Sequence, residues 1–244
     1  GEDGKKLSKR HGATSIDEFR NRGFLPEALI NYLAMLGWAP IDKQEVFSID
    51  QLEHVFDIKR LVKGSAIFDY QKLEWFNGQH LRSLSPTMLV ESIRPYLKLA
   101  GIKTLSLEQE IGIAELLRNR ITLLEQVEEK VSFLNLDYSV FANIKMPQKV
   151  SCEKAIRLLE QVVVYLEDVN NFSDSDMETW FRQLAVRENI KFGDLMMTIR
   201  LAVIGTKVSP PLIGSLRLLG KVEIRERIEH VLAILKNLDE EELQ

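Results

Sequence analysis

Residues 112–193, GIAELLRNRITLLEQVEEKVSFLNLDYSVFANIKMPQKVSCEKAIRLLEQVVVYLEDVNNFSDSDMETWFRQLAVRENIKFG, hold no glycine between Gly112 and Gly193, and Pro147 is the one proline. Glycine and proline are the strongest interrupters of helices. Their near-absence predicts long helices with one break near 143–150. Ser106-x-x-Gln109, Ser151 and Ser173-x-x-Asp176 read as helix starts, because a serine oxygen can accept from the free N–H groups of a first turn. After Lys191 the pattern continues as helix to Ile204, a turn over Gly205–Ser209, a helix opening at Pro210-Pro211, a break at Gly220 and a last helix to about Lys236. No alternating run long enough for a sheet occurs in 85–244.

The same punctuation extends toward the N-terminus. Ser15-x-x-Glu18 predicts a capped helix that stops at Gly23. Pro26 and Gly37 bracket another helix, in which Leu29, Ile30, Leu33 and Leu36 recur at helical spacing and predict one buried face. Ser48-x-x-Gln51 caps a short helix. Ala66-Ile67-Phe68 is a candidate short strand, and Asp69 caps a helix through Trp75 that is expected to end near Gly78. Ser85-Pro86 opens a new section. The expected fold is mainly α, with at most a short strand in residues 1–84, followed by two helical bundles over 85–147 and 148–244.

Composition narrows the function classes. Of 244 residues, 45% are hydrophobic and 28% charged, which excludes disordered and collagen-like chains. A single cysteine, Cys152, excludes a disulfide scaffold and a multi-cysteine zinc site. No apolar run approaches the ~20 residues of a membrane span. The polar opening GEDGKKLSKRHG does not read as a signal peptide. These features fit the reducing cytoplasm. The opening reads as the middle of a loop, so a longer parent chain is expected.

Net charge is −4, yet residues 182–227 carry nine basic and four acidic side chains. Such a stretch can mark an anionic partner or be a solvated helix face. HExxH, CxxC, GxGxxG and GxSxG are absent, and the four histidines stand singly, so no metal site is expected. Gly214, Gly220 and Lys221 match a P-loop poorly, since Val222 replaces the hydroxyl residue.

One motif carries chemistry. Lys5-Lys6-Leu7-Ser8-Lys9-Arg10-His11-Gly12 places four cations and a hydroxyl in a Gly-flanked segment. Such a loop can close over polyphosphate, with lysines as point charges on developing oxyanions. Lys6-Leu7-Ser8-Lys9-Arg10 resembles the ATP-binding signature loop of class I aminoacyl-tRNA synthetases, in the form typical of glutamyl and glutaminyl enzymes. Gly23-Phe24-Leu25-Pro26-Glu27-Ala28-Leu29, with Asn31-Tyr32-Leu33 and Leu36-Gly37-Trp38, is similar to the block that follows it in glutamyl-tRNA synthetases. Phe68-Asp69 with Lys72-Leu73, Trp75 and Asn77-Gly78 resembles the next block. Arg200-Leu201-Ala202-Val203, Gly205, Pro210-Pro211-Leu212 and Leu218-Leu219-Gly220-Lys221 resemble the C-terminal block. The resemblance covers essentially the whole chain and points to the bacterial-type glutamyl-tRNA synthetase family. Glutaminyl enzymes share the loop, but their anticodon-binding barrels would require strands that are missing here.

The resemblance implies the C-terminal part of such an enzyme, starting at the ATP loop, because the Rossmann-type domain and its His-x-Gly-His motif are not in this sequence. It implies a stem-contact region over 1–84 and two anticodon-binding subdomains over 85–147 and 148–244. Lys9 takes the catalytic position that stabilises adenylation, with Lys6 and Ser8 supporting it on ATP. Magnesium is expected with the ATP, and no metal is expected on this chain. Arg120, expected on a helix at the junction of the subdomains, resembles the arginine that discriminates anticodons. Arg182, Arg200, Ser209 and Pro210 match further anticodon contacts. Arg118 is expected to face solvent. Phe133, Trp180, Phe192 and the stripe Leu195, Met196, Ile199, Leu201 and Val203 are expected to pack as core. The implied partners are tRNA(Glu), ATP and glutamate, with no membrane, and the expected state is a monomer. The chain by itself is expected to be inactive in aminoacylation. A second reading stays open: an all-helical RNA- or protein-interaction module with no enzymatic role.

Overall fold

A computed structural model describes residues 1, 3–8, 15–64, 66–102, 105–168 and 173–242, with side chains through 237. Serine caps set the register of its helices. Ser15, Ser48 and Ser106 each accept from the N–H three residues on, while Glu18, Gln51 and Gln109 return a bond to the cap's own N–H. Each such cap is worth about 1 kcal/mol. They start α1 (Ile16–Arg22), α3 (Ile49–Val55) and α6 (Leu107–Leu117). Proline at the first turn starts α2 (Pro26–Met35) and α5 (Pro86–Leu99), and Asp69 caps α4 (Tyr70–Ser83). The order continues with α7 (Gln126–Val131), α8 (Cys152–Asp168), α9 (Asp174–Arg187), α10 (Phe192–Ile204) and α11 (Leu212–Glu242). Gly220 interrupts α11 with φ 76°, as the sequence predicts.

The fold is mainly α, and among the described residues β-pairing is limited to an isolated bridge between Trp38 and Leu61. The candidate strand, 66–68, is unpaired coil among the described residues. The chain forms two compact units, residues 1–129 and 130–244. The expected divisions at 84/85 and 147/148 therefore both fall inside a unit.

Three sequence expectations change. α4 runs past Gly78 to Ser83; Gly78 is buried, and a side chain there would press on Thr122 and Arg82. The segment 118–151 is not long helix but turns, α7 and two 3-10 turns, Ser132–Asn135 and Tyr138–Phe141. Ile121, Leu123, Leu124, Val127, Val131 and Phe133 are all buried, and they spread over more than one face of a continuous helix. In α2 the buried face is Ala28, Leu29, Asn31 and Tyr32, whereas Ile30 and Leu33 are about half exposed.

That rotation of α2 has a polar cause. In the first unit, Tyr32, Phe19, Phe24, Phe68, Phe76, Leu29, Leu73 and Leu123 form an aromatic-rich core on which α2 and α4 pack. Tyr32 meets Phe68 and Phe76 edge-on at 5.1 and 5.8 Å, and its hydroxyl accepts from the Asp69 N–H at 2.6 Å. Asn31 donates to the Glu45 carbonyl and accepts from the Phe47 N–H, holding the chain after α2. Asn77 accepts from the Leu25 N–H and donates to the Gly23 and Thr122 carbonyls. Each buried amide so matched removes a desolvation cost of about 1–3 kcal/mol per group. The motif residues Asn31, Tyr32 and Asn77 thus hold the scaffold together.

His80 completes the Asn31 tie. It is buried, and its Nε2 lies 3.0 Å from Asn31 Oδ1, so Nε2 must carry the proton. Burial lowers its pKa below the ordinary imidazole value, while the charge of Glu27 opposes the shift. A lowered folded pKa means the unfolded chain protonates first. Stability from this site is complete above the unfolded pKa of about 6.5 and is lost as pH falls toward the folded value. We expect urea midpoints of the wild type to fall between pH 7 and 5, with a slope bounded at about 1.4 kcal/mol per pH unit for one proton. His80→Gln keeps a donor and should flatten that slope; an equally steep Gln variant would rule out His80 as its source.

Candidate nucleic-acid interface

Leu7 ties the described part of the candidate loop to the fold. Leu7 packs against the aromatic core of the first unit, leaving Lys6 and Ser8 exposed on either side. Asp3 accepts from the Lys5 N–H at 3.0 Å. Lys9, Arg10, His11 and Gly12 lie outside the described residues.

Arg118 and Arg120 separate sharply. α6 ends at Leu117, so both occupy the following turn, and Arg120 is not on a helix as the sequence suggested. Arg118 is a structural clamp, not a solvent-facing charge. Its Nη1 donates to the Arg82 and Leu84 carbonyls at 2.9 and 2.6 Å, and its fork holds Glu115. It thereby satisfies orphan carbonyls at the C-terminus of α4, where the helix dipole favours a cation. The Arg118 bond also pulls the Glu115 carboxyl below the usual carboxylate range. Arg120 is exposed, and among the described residues no hydrogen bond or carboxylate occupies its guanidinium. A free, planar five-donor group on a turn is suited to stacking on an unpaired base and bonding its edge.

The second unit holds the other candidates. Arg182 is exposed on α9, paired with Glu178 and 4.3 Å from the centroid of the half-buried Phe192 ring. Arg200, Ser209 and Pro210 are brought together. Arg200 Nη1 donates to the Ser209 hydroxyl and, at 3.4 and 3.2 Å, to the Ser209 and Pro210 carbonyls. Burial lowers the Arg200 pKa, though arginine remains cationic. The turn this clamp closes begins at Gly205, whose φ is 77° and where an added Cβ would overlap the Val140 side chain. Phe133 and the stripe Leu195, Ile199, Leu201 and Val203 are core, as expected. Met196, Trp180 and Phe192 are half-buried, and Trp180 stacks on Tyr165 at 4.1 Å.

The basic excess of 182–227 is mostly engaged within the unit. Arg217 pairs with Asp174, Arg182 with Glu178 and Arg225 with Glu229, all carboxylates outside that window. Arg227 is buried on Glu223. Lys191 and Lys207 stay exposed without an ion pair among the described residues. A sequence window is not a spatial neighbourhood, so its charge overstates the field. Sequence reading gave Arg227 no role; its only signal was Glu223 one helical turn earlier.

Comparison with known proteins finds two family matches along the chain. Residues 88–232 match the family described as anticodon binding domain, and residues 1–75 match tRNA synthetases class I (E and Q), catalytic domain. The chain is 37% identical to the glutamate–tRNA ligase of Treponema denticola, over 96% of this chain and 51% of that protein. It is 34% identical to glutamate–tRNA ligase 2 of Thermoanaerobacter pseudethanolicus, over 97% and 50%. A solved glutamate tRNA ligase from Elizabethkingia meningosepticum, in complex with its amino acid, superposes with TM-score 0.78 at 25% identity, covering 95% of this chain and 49% of that one. The chain spans about half the length of the curated relatives it matches.

Proposed function

This chain belongs to the anticodon-binding-domain family of the glutamate–tRNA ligases, and on that premise we propose that it is the tRNA-binding portion of such a ligase. The parent activity is activation of glutamate by ATP and transfer of glutamate to tRNA(Glu), in the cytoplasm. The observation that carries this reading is the free guanidinium of Arg120 on a turn inside the matched anticodon-binding region, beside an Arg118 fully committed to structure. Arg182, Arg200, Ser209 and Pro210 are the further anticodon contacts. Arg200 acts by fixing the Ser209-Pro210 turn, and its donors other than Nη1 have no partner among the described residues.

Lys9, with Lys6 and Ser8, is assigned to the phosphates of ATP. A lysine there would counter the charge that develops during adenylation. Magnesium is expected with ATP in such chemistry. Among the described residues no three His, Cys, Asp or Glu side chains gather into a set that could hold a metal, so magnesium is assigned to no residue here. No helix among the described residues is long and apolar enough to cross a membrane.

The anticodon logic is chemical. Glutamate codons GAA and GAG and glutamine codons CAA and CAG differ at the first letter, which pairs with the last anticodon base. A guanidinium can donate to O2 and N3 of a flipped-out cytosine, whereas guanine presents donors there. A bidentate contact discriminates by about 1–3 kcal/mol, roughly ten- to a hundredfold. The test measures the affinity of the chain for two tRNA transcripts that differ only at that base. Wild type is expected to prefer C, with affinity falling as salt rises by about −0.7 in log–log slope per single-stranded phosphate contact. Arg120→Gln should bring the ratio toward one with helical content unchanged. An unchanged ratio removes Arg120 from the site, and salt-independent binding removes the RNA-binding reading.

A further inference from the structure

The sequence pattern of α2 predicts burial for Ile30 and Leu33, yet the structure leaves them 50% and 46% exposed. They share an arc with Gly37, seven and four residues on, and Gly37 leads directly to more uncovered apolar surface. Its carbonyl accepts from the Val62 N–H at 2.8 Å, and Leu61 bridges to Trp38. Phe56 lies 5.4 Å from the Trp38 ring. Val55, Phe56, Ile58, Leu61 and Val62 thus form a strap over the end of α2, with Ile58 and Val62 71% and 70% exposed. Eleven of the nineteen exposed large apolar side chains among the described residues fall within 1–75, under a third of the chain. Grouped exposed apolar residues mark interaction sites, whereas scattered single ones need no explanation.

We infer that the face made by Ile30, Leu33, Phe56, Ile58 and Val62 is the seat of the remaining part of a class I synthetase catalytic domain. Three observations select that occupant over RNA or a second copy of this chain. The concentration of exposed apolar residues coincides with the segment matching the class I catalytic domain. The relatives carry about as much chain again outside the matched region. The uncovered surface is aliphatic and aromatic, the composition of an interface core rather than of a phosphate-binding surface. Lys59, Arg60 and Lys63 alternate with these residues, and among the described residues none has a carboxylate partner. They form the polar rim, so the occupant should bring acidic groups opposite them. The inference rests on the class I synthetase reading.

The test joins the preceding half of the Treponema denticola ligase to residue 1 of the chain and measures ATP–pyrophosphate exchange and susceptibility to proteolysis. Val62→Asp and Ile58→Asp are compared with Val164→Asp, an exposed position on α8 outside the face. In the bare chain all three should leave thermal unfolding and tRNA affinity unchanged. In the joined protein the two strap variants should lower exchange by about tenfold or more and open the junction to protease, since a buried unpaired charge empties an interface hot spot. Val164→Asp should do neither. Normal exchange in both strap variants overturns the inference. So does a loss of tRNA affinity in the bare strap variants, which would make the strap an RNA contact, or salt-stable dimerisation of the bare chain abolished by Val62→Asp. An unsubstituted joined protein without exchange, together with a bare chain that binds no tRNA, would instead overturn the class I reading itself.

Discussion

Arg227→Ala is expected to destabilise the second unit by about 3–5 kcal/mol, the range for removing one partner of a buried charged network. Arg227 is 1% exposed on α11. Its Nη1 donates to the carbonyls of Phe133 and Val203, both at 2.8 Å, and its Nε to Glu223 at 2.7 Å. One side chain therefore ties α11 to the C-terminal end of α10 and to the 3-10 turn at Ser132–Asn135. Alanine strands two carbonyls, each costing about 1–3 kcal/mol when buried and unmatched, and leaves a cavity that costs more. Glu223 is about a third exposed and can be rehydrated, which keeps the total near the stated range. Arg227→Met fills much of the volume without replacing the donors, so it should recover only the cavity part. Denaturant unfolding followed by helical signal checks both, and a loss below 1 kcal/mol for alanine would show that water serves those carbonyls.

Gly23→Ala is expected to cost the first unit about 3 kcal/mol, with Gly23→Val worse. Gly23 ends α1 at φ 81°, in the left-handed region, where a Cβ costs about 1–2 kcal/mol. An ideal Cβ there would lie 2.5 Å from Leu124 Cβ and 2.7 Å from the Leu124 backbone nitrogen. Backbone cannot swing aside as a long side chain can, so the 121–125 segment must move, and forced overpacking adds about 1–3 kcal/mol. That segment follows the turn bearing Arg120 and is tied back by Leu124 N–H to the Gly23 carbonyl and by Asn77 to Thr122. The variant should therefore also weaken tRNA discrimination before it unfolds. Gly193→Ala, where an added Cβ meets nothing within 4 Å, is the matched control and should be near neutral. Equal midpoints for the two variants would refute the close-approach argument.

Local chemistry was legible in the sequence wherever one residue acts on its own turn. Serine caps at 15, 48, 106 and 173 set helix starts through bonds to an N–H three residues on, proline at 26 and 86 acts through its fixed φ, and glycine at 23, 205 and 220 stops or breaks helices through a positive φ. Such bonds form in the same way whatever the tertiary setting. The signature blocks were equally legible, since they are strings of residues, and so were the candidate residues Lys6, Ser8, Arg120, Arg182, Arg200, Ser209 and Pro210 as types at positions.

What the chain does between those points was decided by packing. The sequence placed Ile30 and Leu33 in the core, but Asn31 and Tyr32 found partners at Glu45, Phe47 and Asp69, and satisfying those buried polar groups turned α2 the other way. Gly78 read as a stop and proved to be the close-packing point of a longer helix, because a buried glycine within a helix looks like a terminal one until its neighbour, Thr122, is known. Arg118 and Arg120, two residues apart and chemically identical, ended in opposite settings, one clamped and one exposed, because only Arg118 reaches the open carbonyls that end α4. Three arginines of the basic run 182–227 met carboxylates from outside the run, while Arg227 met Glu223 within it. Periodicity and charge count are properties of a line of residues, whereas burial and pairing depend on which distant residue arrives at a given place, and that is fixed only when the whole unit closes.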